Sequence, residues 1–170
     1  SRAACARRPC VPARSARVCA CCRAQCLGSP CLSRRPAVLC CSFDAPGNTL
    51  ATGSADGELR LWRVVSEEWR CVKTLELGPA VMSCQFQPAG NGGMLCTGSA
   101  DNVVRVWKAL KGDCVATLQG HTDCVTSVSY DPLNGDIICS GSHDKTVRVW
   151  KASAEKQTRI FDGDKGHKTA

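Results

Sequence analysis

Three residues in the second half of the chain have the chemical types found in hydrolase triads. Ser140 has the type of a nucleophile, His121 that of its general base, and Asp144 that of the carboxylate that orients an imidazole. Nucleophilic catalysis further requires an exposed serine on a strained turn and an oxyanion hole beside it. The alternative is that the same side chains hold one unit of a repeated structure together.

The sequence around Ser140 occurs three times, which favours the structural interpretation. Each copy reads Thr/Ser-Gly-Ser-x-Asp with a Trp six residues after the Asp. The copies contain Thr52, Asp56 and Trp62, then Thr97, Asp101 and Trp107, then Ser140, Asp144 and Trp150, and the Trp residues lie 45 and 43 residues apart. Such a period is typical of repeat proteins built from four-stranded units. Because Thr replaces Ser140 in two copies and no His accompanies it there, we predict no catalytic residue.

The segments around each motif predict β-strands. Each Trp ends a short run of alternating residues, at 59–62, 104–107 and 147–150. An apolar run that closes on Phe43, Phe86 or Tyr130 precedes each motif, turn residues follow these aromatic residues, and a weaker fourth strand follows each Trp. We therefore predict three units of four antiparallel strands, at about residues 36–78, 79–120 and 121–161.

With these motifs the chain resembles the WD-repeat family of β-propellers. Gly120-His121 is similar to the Gly-His that opens a repeat in that family, and the remaining motif residues follow at the expected distance. The resemblance implies an all-β fold, a partial β-propeller of three four-stranded antiparallel blades. It also implies a buried hydrogen-bond chain in which His121 links Asp144 to Ser140 and Ser140 reaches the indole of Trp150.

The first two units depart from the family pattern. Alignment of the apolar runs puts Arg34 and Leu77 at the positions that correspond to His121. We expect the structural roles of the Thr, Asp and Trp residues to persist there, but we expect these two blades to be looser.

The resemblance implies a non-enzymatic scaffold for protein–protein interaction. The family contacts its partners on a rim of loops, where rigid folds commonly present binding residues. Ala55, Ala100 and His143, each directly before a turn Asp, fall on that rim, and Asp123 is expected beside them. We predict these four residues as the partner-binding rim.

Three blades are fewer than a closed propeller contains, since propellers close with typically about 4–8 blades. Residues 162–170 include a second Gly-His, Gly166-His167, which indicates the start of a truncated further repeat. We expect the chain to be a fragment of a longer propeller protein. The alternative is an open arc that self-associates.

The amino-terminal segment differs from the rest in charge. Residues 1–35 hold eight arginines and no acidic residue, whereas the remainder holds 14 basic and 15 acidic residues. We predict a disordered basic tail; binding to RNA or to anionic membrane, and organelle targeting, are the alternatives. The second candidate function is therefore an RNA- or ribonucleoprotein-associated factor that uses this tail.

Cysteine use bears on metal binding and on the cellular compartment. Nine of the 15 cysteines fall within residues 1–41, with spacings that do not match a structural zinc site, so we predict no metal site and no cofactor. The other six lie in predicted strands, where free cysteine acts as a small hydrophobe. This favours a reducing compartment, the cytoplasm or the nucleus. No apolar stretch approaches the ~20 residues of a membrane span.

Overall fold

The computed structural model describes residues 36–88 and 93–162. The predicted tail at 1–35 and nearly all of the predicted repeat start at 162–170 lie outside the described residues. The described strands are β1 Val38–Phe43, β2 Thr49–Ser54, β3 Glu58–Val65, β4 Glu68–Glu76, β5 Val81–Phe86, β6 Met94–Ser99, β7 Val104–Lys108, β8 Asp113–Leu118, β9 Val125–Tyr130, β10 Ile137–Ser142, β11 Thr146–Lys151 and β12 Lys156–Asp162. One turn of 3₁₀-helix at Ala152–Ala154 is the only helical element in these ranges.

The strands form three separate four-stranded sheets, each in chain order. β1 to β4 make blade 1, β5 to β8 make blade 2 and β9 to β12 make blade 3. All the pairings within a blade are antiparallel. The prediction of an all-β fold with three four-stranded antiparallel units is confirmed.

The third and fourth strands of every blade share one irregularity. Their register shifts between the motif Trp and the residue before it, at Leu61/Trp62, Val106/Trp107 and Val149/Trp150. A bulge of this kind bends a strand and increases its twist. The repeat in sequence is therefore also a repeat in backbone geometry.

The motif Asp shapes the turn between the second and third strands. Its carboxylate accepts the backbone N–H of the residue two positions later, at 3.0 Å in blade 1, 3.3 Å in blade 2 and 2.9 Å in blade 3. The residue directly after the Asp has a left-handed φ of 83° at Gly57, 71° at Asn102 and 65° at Lys145. Gly and Asn adopt this conformation more readily than Lys does, so the Asp bond matters most in blade 3.

The hydrophobic core lies between the blades. The cluster between blades 1 and 2 contains Ala51, Leu59, Leu61, Val81, Cys84, Phe86, Leu95 and Ala109. The cluster between blades 2 and 3 contains Cys96, Val104, Val106, Ala116, Leu118, Val125, Val128, Tyr130, Ile138 and Trp150. In both clusters one face of a sheet packs on the opposite face of the next sheet.

A glycine in the second strand permits this close packing, and its replacement tests the fold. A Cβ on Gly98 would lie 2.7 Å from Cγ1 of Val125 and 3.0 Å from Cγ1 of Val128. We expect Gly98→Ala to lower the free energy of unfolding by about 1–3 kcal/mol, because extra atoms in a packed core force side chains apart. Chemical denaturation measures the change. Gly93→Ala is the control, since a Cβ there meets no atom within 4 Å; equal effects of the two exchanges would contradict the packing.

Candidate functional site

Four polar side chains of blade 3 form a continuous buried chain. His121 Nδ1 lies 2.7 Å from Asp144 Oδ2, and His121 Nε2 lies 2.8 Å from Ser140 Oγ. Trp150 Nε1 donates to the same Ser140 Oγ at 2.8 Å. The His121 and Asp144 side chains are 0% and 4% exposed. The structure therefore brings together the four residues that the resemblance implied.

The hydrogen atoms in this chain can all be placed with a neutral imidazole. The indole N–H of Trp150 donates to Ser140, the Ser140 hydroxyl donates to His121 Nε2, and His121 Nδ1–H donates to the Asp144 carboxylate. Every donor then has an acceptor. A buried polar network is stabilising when it is satisfied in this way and costly when one member is missing.

This geometry does not suit nucleophilic catalysis. Ser140 is 1% exposed, so a substrate cannot reach its hydroxyl. The indole of Trp150 donates to Ser140 Oγ and occupies a lone pair that an attacking hydroxyl would use. The position also lies within β10 and not on a strained turn. The arrangement connects strands and loops instead.

Asp144 ties the chain to the neighbouring turn. Burial opposes its ionisation, but hydrogen bonds from Thr146, from His121 and from the backbone N–H of Thr122 outweigh burial and hold the pKa of Asp144 well below its usual range. The carboxylate therefore stays ionised at neutral pH. It joins the turn after β10 to the loop that precedes β9.

In blades 1 and 2 the corresponding residues separate into two local contacts. The indole of the Trp donates to the Thr hydroxyl at 2.9 Å in both blades, from Trp62 to Thr52 and from Trp107 to Thr97. Asp56 and Asp101 instead accept the hydroxyl of the Ser two residues earlier. No His bridges the two contacts within these blades.

In blade 2 the motif Asp pairs with an arginine that the sequence analysis did not single out. Arg105 Nη2 lies 2.6 Å from Asp101 Oδ2, and its Nη1 donates to Ser99 at 3.0 Å. Burial opposes ionisation of Asp101, yet the bonds from Arg105 and Ser99 lower its pKa overall. An Arg stands at the same place in every repeat, but it pairs with Glu58 in blade 1 and with Gln157 in blade 3.

The predicted partner-binding residues lie on the loops at one end of the blades, which we call the loop rim (residues 55–57, 77–80, 100–103, 119–124 and 143–145). In each blade the residue before the turn Asp donates its backbone N–H to the carbonyl of the residue that directly precedes the first strand. These bonds run from Ala55 to Ala37 at 2.9 Å, from Ala100 to Ala80 at 3.0 Å and from His143 to Cys124 at 3.0 Å. The three side chains are exposed. The backbone is thus fixed at three equivalent positions whose side chains face solvent.

Asp123 is held beside His143 on the rim of blade 3. Its carboxylate accepts the N–H of Cys124 at 2.7 Å, and its backbone carbonyl accepts the hydroxyl of Ser142 at 2.8 Å. Asp123 and His143 are both exposed. Blade 3 therefore presents His143 where blades 1 and 2 present alanine, and Asp123 where they have Pro36 and Pro79.

A cleft of about 280 Å³ opens between blades 2 and 3 at the end opposite the loop rim. Tyr130 lines it, and the Tyr130 hydroxyl is buried without a hydrogen-bond partner, alone among the side-chain N and O atoms of the described residues. Phe43 and Phe86 fill this position in the other blades. Nothing in the sequence separates an unpaired hydroxyl from a paired one, so sequence reasoning assigned Tyr130 to a strand only.

The described cysteines do not share one direction of pKa shift: a hydrogen bond with Cys84 lowers the pKa of Cys40. Burial raises the pKa of Cys96, of Cys124 and of Cys139, and a hydrogen bond with Cys40 together with burial raises the pKa of Cys84. Within residues 36–88 and 93–162 no three His, Cys, Asp or Glu side chains are grouped so as to hold a metal ion. In the same ranges no helix is long and apolar enough to cross a membrane.

Removal of the central imidazole tests the buried chain. We expect His121→Ala to lower the free energy of unfolding by about 1–3 kcal/mol, because Ser140 and Asp144 lose a partner inside the protein. His143→Ala is the matched control, since that His is exposed, and we expect a change within about 0.5 kcal/mol. Denaturation of both variants under reducing conditions measures the difference. A His121 variant as stable as the control would show that the chain does not stabilise the blade.

The depressed pKa of Asp144 predicts acid sensitivity. In the unfolded chain the pKa of an Asp is about 3.9, so the stabilising contribution of the ionised carboxylate is complete only well above that pH and decreases as the pH falls through it. We expect the free energy of unfolding to fall between about pH 5 and pH 2. Asp144→Asn should be less stable at pH 7 and should show a shallower fall. An equal slope for the variant and the parent chain would exclude Asp144 as a source of the acid sensitivity.

A protein-family model described as "WD domain, G-beta repeat" matches residues 25–63, 69–108 and 112–151. The second matched range begins in β4 and ends with β7, and the third spans β8 to β11. One sequence repeat therefore supplies the outer strand of one blade and the three inner strands of the next. Each of these two sequence repeats therefore extends over two neighbouring blades and connects them.

The chain is also similar to part of a curated protein. Ribosome biogenesis protein BOP1 of Rattus norvegicus is 43% identical to it over 51 residues, which are 30% of this chain and 7% of that protein. The alignment thus covers a small part of the relative. The family model, in contrast, covers more than half of the chain, and its matched ranges end on the third strand of each blade. The chain belongs to the WD-repeat family of β-propeller proteins.

Proposed function

We propose that this chain is a non-enzymatic scaffold whose loop rim binds other proteins. WD-repeat proteins are generally interaction scaffolds, and this membership supports the class of function. The single observation that carries the proposal is the fixed backbone of the rim. Three equivalent N–H groups, those of Ala55, Ala100 and His143, are bonded to carbonyls within their own blades while the side chains stay exposed. Because this backbone is already ordered, the scaffold loses little backbone entropy when a partner binds to the rim.

Blade 3 is the part of the rim with the most specific chemistry. Asp123 offers a carboxylate and His143 an imidazole, whereas Ala55 and Ala100 leave the rim of the other blades flat. A flat apolar surface beside two polar groups fits a protein partner, because interfaces combine an apolar centre with a polar edge. We infer that Asp123 and His143 orient the partner and that the alanines allow close approach.

The free cysteines support a reducing environment for this function. Cys84 is buried in the cluster between blades 1 and 2, and Cys96 is buried in the cluster between blades 2 and 3. Neither cysteine forms a disulfide. We therefore propose that the scaffold works in the cytoplasm or in the nucleus.

The second candidate function is association with RNA or a ribonucleoprotein. Two observations favour it: the eight arginines of residues 1–35 and the similarity over 51 residues to a ribosome biogenesis protein. In this function the arginines contact phosphate groups while the rim binds protein. Phosphate contacts weaken steeply as salt concentration rises, because bound counterions are released on binding.

Substitution on the rim tests the scaffold. The double variant Asp123→Lys with His143→Glu should capture about tenfold less, or lower still, of each specific partner from a cell extract. Loss of central contacts has an effect of this size at other interfaces. Lys111→Glu, at the opposite end of the blades in the loop between β7 and β8, is the control. Quantitative mass spectrometry of the captured proteins, followed by calorimetric titration of each recovered protein in purified form, measures the loss.

Ribonuclease treatment and replacement of the arginines separate the two candidate functions. Partners of the rim should survive ribonuclease treatment, whereas partners held through RNA should disappear after it and should also decrease when the eight arginines are replaced by Gln. Identical capture by the rim variant and the control would contradict the scaffold proposal. Complete loss of all partners after ribonuclease treatment would favour the RNA-associated function.

A further inference from the structure

Two cysteine side chains meet in the space between blades 1 and 2. Cys40 lies in β1 and Cys84 in β5, and their thiols are hydrogen-bonded to each other. Cys40 Sγ also lies 3.7 Å from the carbonyl oxygen of Val81, the first residue of β5. A Cβ on Gly53 would lie 2.6 Å from the same sulfur atom and equally close to Val81. The Cys40 side chain is therefore directed toward blade 2.

The cysteine pair distinguishes this interface from the one between blades 2 and 3. By strand register, Cys40 corresponds to Ser83 and Cys84 to Val128. Ser83 Oγ accepts the backbone N–H of Val128 at 3.2 Å, so these two positions also face each other at the second interface. Between blades 2 and 3 they hold a serine and a valine, whereas between blades 1 and 2 both hold cysteine. The pair is thus not part of the packing that the interfaces share.

The two thiols differ in exposure and in acidity. Cys84 is 7% exposed, whereas Cys40 at the edge of the same cluster is only partly buried. The hydrogen bond with Cys84 lowers the pKa of Cys40 in spite of burial, and the same bond together with burial raises the pKa of Cys84. The thiolate is the nucleophilic form of cysteine. Cys40 therefore has the character of the attacking residue, and Cys84 that of a second thiol held beside it.

Two further cysteines lie close in the chain or in the sheet but face other directions. Cys41 follows Cys40 in β1, and because side chains alternate along a strand it lies on the opposite face of blade 1, where it is exposed. Cys96 is fully buried in the cluster between blades 2 and 3, on the other side of blade 2. Neither shares the space between β1 and β5.

We propose that Cys40 and Cys84 are an oxidative modification site, at which a hydroperoxide forms a reversible disulfide between blades 1 and 2. Redox-active cysteines combine a reactive thiolate with a second cysteine beside it, and this pair provides both. The disulfide fixes one blade to the next through two strands that are distant in the chain. Thiol reductants reverse it, so in a reducing compartment the bond is transient. The site is separate from the loop rim and does not depend on the scaffold function.

The reaction consumes one hydrogen peroxide for each disulfide. The Cys40 thiolate attacks one peroxide oxygen, the O–O bond breaks, and the other oxygen leaves as hydroxide, which takes up the proton that Cys40 has lost. Cys40 is then a sulfenic acid. The Cys84 sulfur attacks the Cys40 sulfur, the S–O bond breaks, and the hydroxyl leaves with the Cys84 proton as water. The two thiols are oxidised, and the peroxide is reduced to two molecules of water.

Peptide mapping of the full chain tests the disulfide. The chain is reduced, freed of reductant and treated with an equimolar amount of hydrogen peroxide, after which free thiols are blocked and tryptic peptides are analysed by mass spectrometry. We expect a cross-linked pair of peptides, one with Cys40 and one with Cys84, that disappears when a thiol reductant is added. Cys40→Ser and Cys84→Val should each reduce this cross-linked pair by at least about tenfold. Both exchanges introduce the residue type of the equivalent position, Ser83 or Val128, so the interface should tolerate them.

Cys41→Ser and Cys96→Ala are the matched controls. Cys41 lies on the same tryptic peptide as Cys40, and Cys96 on the same one as Cys84. Both control variants should keep the cross-link. Its loss in the Cys41 variant or its persistence in the Cys40 variant would overturn the assignment. Oxidation of Cys40 to a sulfinic acid without a disulfide would also overturn it.

Urea denaturation gives a second readout of the same bond. The peroxide-treated parent chain should unfold at a higher urea concentration than the reduced chain, because a cross-link restricts the unfolded state. Cys41→Ser should show the same increase and Cys40→Ser should show none. Equal midpoints for the reduced and oxidised parent chain would contradict a bond between the blades. The double rim variant, Asp123→Lys with His143→Glu, should form the same disulfide, so failure of one proposal does not imply failure of the other.

Discussion

The packing of one sheet face on the next is the interaction on which the rest of this structure depends. A four-stranded sheet has no interior of its own, and its apolar side chains are removed from water only when a second sheet covers them. Here the fully buried hydrophobic residues are found between blades. Val81 and Val125, which begin the first strands of blades 2 and 3, each pack against a glycine of the preceding blade. The same residue types on an uncovered face remain exposed, as Val38 does. Whether a side chain is buried therefore depends on the neighbouring blade as much as on the residue type.

Polar interactions inside a blade are second to this packing, and they differ between blades that share one motif. In blade 3 His121 lies between the ionised carboxylate of Asp144 and the hydroxyl of Ser140 and forms a hydrogen bond with each. In blade 2 the arginine of the third strand pairs with Asp101, and in blade 1 the hydrogen bonds that Asp56 makes with described residues lie within its own turn region. All three solutions keep the turn closed. The deeply buried solution is the one that tolerates no missing member, because its groups cannot turn to water.

The same construction explains why the chain suits binding better than the chemistry that its triad-like residues suggest. The Ser–His–Asp set is buried to hold strands and loops together, and the groups that reach solvent are on the rim. Backbone hydrogen bonds within each blade fix the backbone of that rim. A rigid fold with variable loop side chains is a general route to recognition. In this chain the side chains that vary between repeats, Ala55, Ala100 and His143, are those at the fixed positions.

The sequence alone determined the repeat, the strand order and the turn chemistry, because these depend on residues close together in the chain. The period of the Trp residues, the alternation before them and the Asp at each turn predict three four-stranded antiparallel units, and β1 to β12 follow that pattern. Resemblance to a family supplied the grouping of His121 with Ser140, since 19 residues separate them and no local rule connects them. Only the tertiary structure decided that Arg105 pairs with Asp101 while equivalent arginines do not, that the Tyr130 hydroxyl has no partner, and that Phe43 is exposed where Phe86 is buried. Each of these depends on what the adjacent strand or blade places opposite a side chain, and the short motif that the three repeats share does not specify that neighbour.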